Sequence, residues 1–291
     1  MNEDVFLKLE DGRQFRRGKL ILKKKAKAFY EVEGNPNLWI MSCLDVVTQD
    51  NAGHIKEEIP GKGLICAQIS KVLFSLIEGR SLCQDTYAPI RTHFVGASTT
   101  NETEILVQRV EQPIPLELIV RNWAYGSYAS RYGIKEGTYL YNGPIYEFTI
   151  KDQEMGDPLI TIEQIQENGI ANILEINHML EVAKAVNKLM GDFFREIDIE
   201  LADFKLVFGR AGKIAGDHSA LRLIGELSPD VCRLRDMKTR QCFDKDIFRK
   251  GLPGGLSDAY KTVLKRMQES DRERGSQRRR EQMQSVGVIP K

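Results

Sequence analysis

Apolar and polar residues along this chain follow two different periods. An alternation typical of a mostly buried strand runs from Leu116 to Val120 and is interrupted by one acidic residue, Glu117. A second alternating segment, Leu201 to Gly209, also predicts a strand. From Ile173 to Ile197 apolar residues recur at helical spacing, which predicts one face of a long amphipathic helix. The chain therefore combines strands with at least one long helix.

The N-terminal segment is rich in strand and turn signals. Asp11-Gly12 supplies the positive backbone dihedral angles of a tight hairpin turn between two strand-like runs. Ala28 to Val32 and Leu38 to Cys43 continue the strand pattern, and apolar residues from Ile65 to Ile77 then repeat at helical spacing. We predict an opening β-hairpin, further strands and a core helix.

A run of lysines follows the predicted hairpin. Four lysines occur within the five residues Lys23 to Lys27. They are compatible with a solvated sheet edge that discourages pairing with another strand. If the strand alternates, however, Lys25 and Lys27 share one face and could both reach a polyphosphate. The run by itself leaves both interpretations open.

The C-terminal segment changes character after a predicted helix from Leu256 to about Met267. Glu269 to Arg280 is densely charged and has no apolar face. Such a segment cannot bury enough apolar surface to offset the entropy of ordering it, so we expect a solvated or disordered tail.

Composition narrows the class of protein. With 291 residues, of which 42% are hydrophobic and 29% charged, the chain can bury the core of one or two domains. Its 42 basic and 41 acidic residues give a net charge of +1, so nothing in the overall charge indicates a nucleic-acid or anionic-membrane partner. No signal peptide or apolar run long enough for a membrane span is apparent, which favours the cytoplasm. The five scattered cysteines indicate neither a disulfide framework nor a zinc site.

The first candidate site directly follows the strand that ends at Val120. Arg121, Gly126 and Ser127 place guanidinium donors, a flexible glycine and a hydroxyl within seven residues. Such groups can hold a phosphate or a carboxylate. The alternative is an arginine in a salt bridge before an ordinary turn. On the first interpretation we expect Arg121→Ala to weaken ligand binding greatly with little loss of stability.

Three further segments carry concentrated polar chemistry. The loop from Lys151 to Pro158 could bind a ligand or be an exposed turn. Asp203 and Lys205 share one face of a predicted strand, where they could simply form an ion pair. Acid, hydroxyl and guanidinium groups are dense between Gly225 and Asp236, as is typical of an active-site loop.

Taken in order, these segments resemble the phosphoribosylaminoimidazole-succinocarboxamide synthase (SAICAR synthetase) family from about Leu22 to Met267. The motifs that carry the resemblance are K-A-K at 25–27, G-K-G at 61–63, P-L-E-L-I-V-R-N-W-A-Y-G-S at 115–127, the loop at 151–158, D-F-K-L-V-F-G at 203–209, S-P-D-V-C-R-L at 228–234 and D-K-D-I-F-R at 244–249. The resemblance implies an α+β fold with an N-terminal antiparallel sheet, a larger α+β domain and a nucleotide cleft between them. The corresponding division is 1–112 (nucleotide-binding side), 113–268 (substrate and catalytic domain) and 269–291 (flexible charged tail).

The resemblance also implies an activity. The family uses ATP and Mg²⁺ to activate the carboxylate of an aminoimidazole ribonucleotide by phosphorylation, and the amine of aspartate then forms an amide with release of ADP and phosphate. The implied partners are small molecules, namely a ribonucleotide-like carboxylate and an amino acid. A homo-oligomer is left open.

Matching the motifs position by position gives the implied site residues. The residues implied to bind the cofactor ATP are Lys25, Lys27 and Lys62; those implied to bind substrate are Arg121, Ser127, Arg233, Asp230 and Lys151; and those beside the reacting groups are Asp203 and Lys205.

Several positions depart from the family pattern. Val207 and Gly225 stand where the family has the glutamate and aspartate expected to bind Mg²⁺, and neither side chain offers an oxygen ligand. Glu226, or Asp217 in the inserted segment 215–223, could substitute. Other departures are Lys24, the segment 45–49, Gln153 and Arg235.

These departures predict a diverged paralogue, for which three hypotheses remain. The chain could be an ATP-dependent carboxylate-amine ligase acting on the family's substrates or related ones. It could be an enzyme of the same fold, in specialised metabolism, with a changed substrate or without Mg·ATP chemistry. It could also be a catalytically silent binding protein. We favour the ligase because the lysines, arginines and serine of the implied site are all present.

Overall fold

The computed structural model describes residues 5–48, 56–79, 90–152, 154–212 and 220–285. The strands are β1 (Phe6–Lys8), β2 (Gln14–Lys24), β3 (Lys27–Val32), β4 (Leu38–Cys43), β5 (Val46–Thr48), β6 (Lys56–Glu58), β7 (Phe94–Ala97), β8 (Glu104–Gln108), β9 (Gln112–Pro113), β10 (Leu116–Arg121), β11 (Trp123–Ala124), β12 (Thr138–Tyr139), β13 (Ile145–Ile150), β14 (Leu159–Ile160), β15 (Ile199–Arg210), β16 (Leu221–Ile224) and β17 (Cys232–Asp236). The helices are α1 (Lys62–Gly79), α2 (Gly126–Tyr132), α3 (Ile162–Glu167), α4 (Ile173–Glu196), α5 (Asp246–Arg249) and α6 (Leu256–Ser285).

An antiparallel sheet with strand order β1-β2-β3-β4-β8-β7 forms the N-terminal half. The predicted hairpin is confirmed: β1 pairs with β2, and Gly12 in the turn has φ of 86°. The predicted strands from Ala28 and from Leu38 are β3 and β4, which pair with each other. The α+β fold implied by the resemblance is therefore present, with an antiparallel N-terminal sheet.

Helix α1 begins at a turn that the backbone of β4 approaches closely. The carboxylate of Asp45 accepts hydrogen bonds from the backbone N–H groups of Gly61 and Gly63, at 2.9 and 2.8 Å. A Cβ on Gly63 would lie 2.4 Å from the carbonyl oxygen of Cys43, so only glycine fits there. Helix α1 packs on the N-terminal sheet and against α6.

The second sheet is organised around β15, its longest strand. The strand order is β14-β13-β10-β15-β16, and β17 and β9 also pair with β15. Leu116, Leu118 and Val120 of β10 are buried on one face, which α4 covers. Because side chains alternate along a strand, Glu117 and Arg121 point to the opposite face. That face is available for polar chemistry.

Helix α4 confirms the predicted long amphipathic helix. Asn172 caps its N-terminus: the Asn172 side chain accepts from the backbone N–H of Glu175, and the Glu175 side chain accepts from the backbone N–H of Asn172. The Glu175 carboxylate also accepts from Arg210 of β15 at 2.6 and 2.8 Å. One residue thus joins the helix start to the central strand.

Helix α6 continues well past Met267, where the sequence predicts the start of a charged tail. The helix runs to Ser285. Arg274 lies over the ring of Phe193 and forms an ion pair with Glu196 at 2.9 Å, so the charged segment has partners on α4 that sequence periodicity does not reveal.

Four cysteines, Cys43, Cys66, Cys232 and Cys242, are free and buried, and Cys83 lies outside the described residues. None of the helices in the described ranges is both long enough and apolar enough to cross a membrane.

Candidate active site

Three strands of the second sheet place charged side chains in one row. Arg121 on β10 lies opposite Asp203 on β15, and Asp203 lies opposite Arg233 on β17. The carboxylate of Asp203 consequently lies between two guanidinium groups. The sequence predicts each of these residues but not their pairing, because strand register across the sheet is a tertiary property.

Arg121 is held on all sides of its guanidinium group. Its Nε donates to Glu147 at 2.5 Å, Nη1 to Asp203 at 3.5 Å and Nη2 to the hydroxyl of Ser127 at 3.1 Å. Only 2% of the residue is exposed, and Tyr128 lies against the guanidinium. The alternative of a salt-bridged arginine is therefore present, and Arg121 also contacts the Ser127 hydroxyl, while anion binding at this segment stays a prediction.

Arg233 is fixed by two carboxylates. Its Nη1 donates to both oxygens of Asp203, at 3.1 and 2.8 Å, and its Nε donates to Asp246 at 3.0 Å. Burial acts against the charge of Arg233, but the neighbouring Asp203 and Asp246 raise the pKa of its guanidinium above the ordinary value. Arg233 is therefore a permanent cation in a defined position.

Behind Arg233, a second arginine extends the same ion-pair network. Arg235 donates to Asp244 and Asp246 and stacks on Tyr125, 4.7 Å from the ring centre. Burial would raise the pKa of Asp246, but Arg233, Lys250 and Arg235 together outweigh burial and lower that pKa to about 2. The departure at position 235 thus supplies a buried cation that helps to balance Asp244 and Asp246.

Lysines surround Glu117 at the other end of the same face. Lys205 donates to Glu117 at 2.5 Å, so Lys205 does not form the ion pair with Asp203 that the sequence leaves open. Burial would raise the pKa of Glu117, but Lys205, Lys151 and Lys25 lower it below the ordinary value. These lysines, together with Lys27, also repel one another. Asp157 also interacts with these lysines and Glu226 pairs with Lys27, so four lysines face three acids and one positive charge is in excess.

Lys25 lies near this group of lysines, but strand alternation does not place it there. It lies in the turn between β2 and β3, with φ of 48°. The left-handed backbone breaks the strand at Lys25, so Lys25 and Lys27 do not share a face by periodicity. They nevertheless interact electrostatically at the same site.

Two ion pairs connect the N-terminal half to the loop after β16. Lys27 of β3 donates to Glu226 at 2.6 Å, and Lys62 of α1 donates to Asp230 at 2.5 Å. Burial acts to lower the pKa of Lys27, but Glu226 raises it above the ordinary value. Lys62 is 1% exposed, and Asp230 also accepts from Tyr260 at 2.8 Å.

The carboxylates of this loop do not fit Mg²⁺. Ligand atoms of Cys66, Glu226 and Asp230 lie within 4.8 Å of one another. Lys27 and Lys62 already neutralise the two acids, and burial raises the pKa of the Cys66 thiol well above its ordinary value. Mg²⁺ requires oxygen ligands in octahedral geometry. Glu226 alone is therefore a poor replacement for the carboxylates absent at positions 207 and 225.

Two of the positions named in the sequence analysis cannot be placed in this site. Asp217, considered as a substitute ligand, and Gln153 are outside the described residues. At the usual positions, Val207 pairs with Ile224 across β15 and β16, which brings it next to Gly225 in space.

Sequence reasoning missed four residues of the site. Glu147 looks like one polar position in the strand β13, and Asp246 and Lys245 occur in a quoted motif without an assigned role. Lys245 donates to Thr48 at 2.9 Å, and burial lowers its pKa to about 8. Tyr260 lies in the predicted helix from Leu256 to about Met267, to which the sequence assigned no site residue. Only the D-K-D motif carried a signal that could have found Asp246 and Lys245.

Known proteins resemble this chain along most of its length. A sequence model of the family described as SAICAR synthetase matches residues 20–267. The phosphoribosylaminoimidazole-succinocarboxamide synthase of Lysinibacillus sphaericus is 39% identical over 251 residues, which cover 86% of this chain and 98% of the relative. That of Bacillus cereus is 38% identical over 248 residues, covering 85% and 95%.

Solved structures agree with these sequence relatives. The crystal structure of the synthase from Ehrlichia chaffeensis has a TM-score of 0.76 at 30% identity, covering 86% of this chain and 98% of that one. A SAICAR synthetase in complex with ADP has a TM-score of 0.75 at 32% identity, covering 86% and 97%.

Proposed function

The chain belongs to the SAICAR synthetase family, and from this premise we propose that it is an ATP-dependent carboxylate-amine ligase. It activates the carboxylate of an aminoimidazole ribonucleotide, or of a related acid, and joins it to the amine of aspartate or another amino acid. The observation that supports this proposal is the charge arrangement on one face of β15. Asp203 lies there between two guanidinium groups, and Lys205 lies in a group of lysines that carries an excess of positive charge.

The guanidinium end is suited to the phosphate of a ribonucleotide. Arg121 and Arg233 are held in place by buried acids, and the Ser127 hydroxyl is exposed beside them. Planar guanidinium groups recognise phosphate through paired hydrogen bonds. We assign Arg121, Arg233 and Ser127 to substrate binding, with Asp203 as the carboxylate that orients both arginines.

The lysine end is suited to a polyphosphate. Lys25 and Lys151 are exposed and Lys27 is half-buried, and all three interact with the Glu117 and Lys205 pair or with each other. We assign Lys25 and Lys27 to the ATP phosphates and Lys151 to substrate. Lys62 and Asp230, which are buried against each other, would reach a ligand only if their ion pair separated.

The reaction needs charge neutralisation more than proton transfer. An oxygen of the acid attacks the γ-phosphorus of ATP and releases ADP, which leaves an acyl phosphate. The amine nitrogen then attacks the acyl carbon, phosphate leaves and the amine loses a proton. Fixed cations stabilise the negative charge that develops in both steps. The chain's described residues supply these cations as lysines, and no step is assigned to Mg²⁺.

The test is a mass-spectrometric assay of the purified protein with ATP, MgCl₂, aspartate and carboxyaminoimidazole ribonucleotide. We expect the succinocarboxamide and an equal amount of ADP, and neither without the ribonucleotide. A folded protein that forms no product and no ADP would contradict the proposal in this form. Calorimetric titration with ATP would then separate a changed substrate pair from a lost nucleotide site.

A second candidate is an enzyme of the same fold that has a changed substrate or no longer uses Mg·ATP. The pairing of Glu226 with Lys27, together with Val207 and Gly225, favours it, since these features remove carboxylates from a cation site. For either candidate we propose small-molecule substrates and a cytoplasmic location.

A further inference from the structure

We propose that Gly126 is a positioning residue that fixes the guanidinium of Arg233 for ligand binding. The identity of the ligand, a phosphate-bearing ribonucleotide, rests on the proposed function. The geometric part of the inference is independent of that function, because it follows from the contacts of Arg233.

The guanidinium of Arg233 lies directly against the backbone of Gly126. A Cβ on Gly126 would lie 2.3 Å from Nη2, 2.8 Å from Cζ and 3.1 Å from Nη1 of Arg233. Carbon atoms in contact are normally about 3.5–4.0 Å apart. Any side chain at position 126 therefore overlaps the guanidinium, and one of the two groups must move.

Arg233 cannot yield without breaking buried ion pairs. Its Nη1 and Nε donate to Asp203 and Asp246, whose side chains are 5% and 1% exposed. In the described part of the chain these bonds occupy Nη1 and Nε and leave Nη2, the nitrogen nearest Gly126, for a ligand. Acids fix the guanidinium on one side, and the absence of a side chain makes room for it on the other.

The backbone of Gly126 is tied to the same network. Its N–H donates to Glu136 at 2.9 Å, Glu136 accepts from Lys250 at 2.7 Å, and Lys250 lies 3.6 Å from Asp246. Because Asp246 in turn holds Arg233, the contacts form a closed circuit. A shift of Gly126 relative to Arg233 would strain this whole circuit.

The neighbouring arginine meets the same segment. Nη2 of Arg121 donates to Ser127, the residue after Gly126. The Nη2 groups of both arginines thus face residues 126 and 127, where a phosphate could accept hydrogen bonds from both. Displacing Arg233 would remove one side of this arrangement and leave Arg121 in place.

A matched pair of variants separates the collision from backbone strain. Gly126 has φ of 54°, and Gly133, at the other end of α2, has φ of 62°; in the part of the chain that the structure describes, no atom beyond its own neighbours in the chain lies within 4 Å of its Cβ position. Alanine is strained similarly at both sites, but only Gly126→Ala meets Arg233. We expect Gly126→Ala to raise the KM for the ribonucleotide at least tenfold with a smaller change in kcat, and Gly133→Ala to change the KM less than twofold.

A double-mutant cycle tests whether Gly126 acts through Arg233. In an Arg233→Ala background, adding Gly126→Ala should change ribonucleotide binding less than twofold, because the group it displaces is gone. An equal loss in both backgrounds would overturn the proposal, and so would an unchanged KM for Gly126→Ala alone.

Two further measurements keep the test independent of activity and of folding. A crystal structure of Gly126→Ala should show the Arg233 guanidinium displaced; an unmoved guanidinium overturns the proposal, even if the wild type proves not to bind the ribonucleotide. If Gly126→Ala does not fold, Gly126→Ala with Arg233→Lys should fold, because the unbranched ammonium avoids the overlap. Failure of that double variant, with Gly133→Ala folded, would also overturn it.

Discussion

Arg121 has a structural role that its sequence context does not reveal. It is buried between Glu147 and Asp203, so its removal takes one cation from each of these buried carboxylates and leaves them with Arg131 and Arg233 respectively. From the sequence we expected Arg121→Ala to spare stability, and the burial of Arg121 reverses this expectation. Removing one partner of a buried ion pair costs about 3–5 kcal/mol when the other charge is left uncompensated, and the cations that remain here reduce that cost.

Arg121→Ala should therefore both weaken ligand binding and lower the free energy of unfolding by about 2–3 kcal/mol, because charged hydrogen bonds are lost while each acid keeps one cation. Ser127→Ala is the matched control, because Ser127 is exposed and touches the same guanidinium. We expect Ser127→Ala to weaken binding with almost no change in stability. Urea unfolding of both variants checks this, and equal stabilities would contradict the burial argument.

The absence of carboxylates at positions 207 and 225 leads to a second prediction at the residue scale. Val207→Glu with Gly225→Asp should restore oxygen ligands next to each other, since position 207 pairs with position 224. Among the described residues, apart from its two chain neighbours, no atom lies within 4 Å of a Cβ on Gly225, although its φ of 92° adds strain. We expect Mn²⁺, used as a probe, to bind the double variant at least tenfold more tightly than the wild type.

The control for this metal site is Val207→Gln with Gly225→Asn, which has the same shape without the charge. Calorimetry or electron paramagnetic resonance should show no comparable gain in Mn²⁺ affinity. If the amide pair binds as well as the acid pair, or if the wild type already binds Mn²⁺ tightly, the described residues do hold a metal and our fit argument is wrong.

His93 should make stability depend on pH. Burial lowers its pKa to about 4 from 6.5, and its Nε2 lies 2.9 Å from the carbonyl oxygen of Gly225. Between these pKa values the unfolded chain binds a proton that the folded chain does not, so His93 favours folding above pH 6.5 and loses this contribution as the pH falls toward 4. At pH 5 the loss is about 2 kcal/mol.

The measurement is urea unfolding of wild type and His93→Gln at pH 7.5 and pH 5. Glutamine can still donate to the carbonyl group but does not titrate. The wild type should lose about 2 kcal/mol more than the variant over this interval. Parallel losses would show that His93 does not titrate as its burial requires.

At the scale of elements, the same few residues at the start of α4 stabilise both the helix and its contact with β15. Asn172 caps the helix, and Glu175 closes the capping box and also binds Arg210 of β15. The sequence-based prediction of this helix included neither the capping box nor the bond to β15. Because Glu175 forms both the cap and the bond to β15, its substitution should cost more stability than the substitution of Asn172.

Asn172→Ala should lower the free energy of unfolding by about 1 kcal/mol, the usual cost of losing an N-cap. Asn172→Asp should keep the cap and most of the stability. Glu175→Ala should cost more than Asn172→Ala, because it also leaves the Arg210 guanidinium without its carboxylate. Chemical unfolding ranks the three variants, and an equal cost for both alanine variants would argue against the dual role.

At the scale of the whole molecule, one hydrophobic core crosses the proposed division at residue 112. The same cluster contains Met41 and Ile69 from the N-terminal part and Phe204 and Tyr260 from the remainder. The ion pairs Lys27–Glu226 and Lys62–Asp230 join the same two parts. Shared core and shared charges predict one cooperative unit, and the division into two functional domains stays a prediction.

The two tryptophans allow a direct test of this cooperativity. Trp39 lies in β4 and Trp123 in β11, one on each side of the division. Trp39→Phe and Trp123→Phe each leave one fluorescent probe. We expect coincident urea transitions from the two variants after correction for any change in overall stability. Distinct midpoints or a visible intermediate would show that the halves unfold separately.

The sequence by itself determined what local pattern and motif can determine. The hairpin at Gly12, the strands β3, β4, β10 and β15 and the helices α1 and α4 follow from residue periodicity and turn chemistry. The motifs, taken in order, determined the family, because they retain most of their charged and polar residues even though Val207 replaces a glutamate. Local pattern misplaced Lys25 and the end of α6. The position of Lys25 depends on one left-handed backbone dihedral angle, and the length of α6 depends on a contact with α4.

Only the tertiary structure decided which charges meet. Asp203 could have paired with Lys205 two residues away, but strand register gives it Arg121 and Arg233, 82 and 30 residues distant in the chain. The space that Arg233 occupies depends on the absence of a side chain at Gly126, which no local signal relates to residue 233. Charge pairing in a buried site depends on distances of a few ångströms across strands, and sequence spacing does not contain those distances.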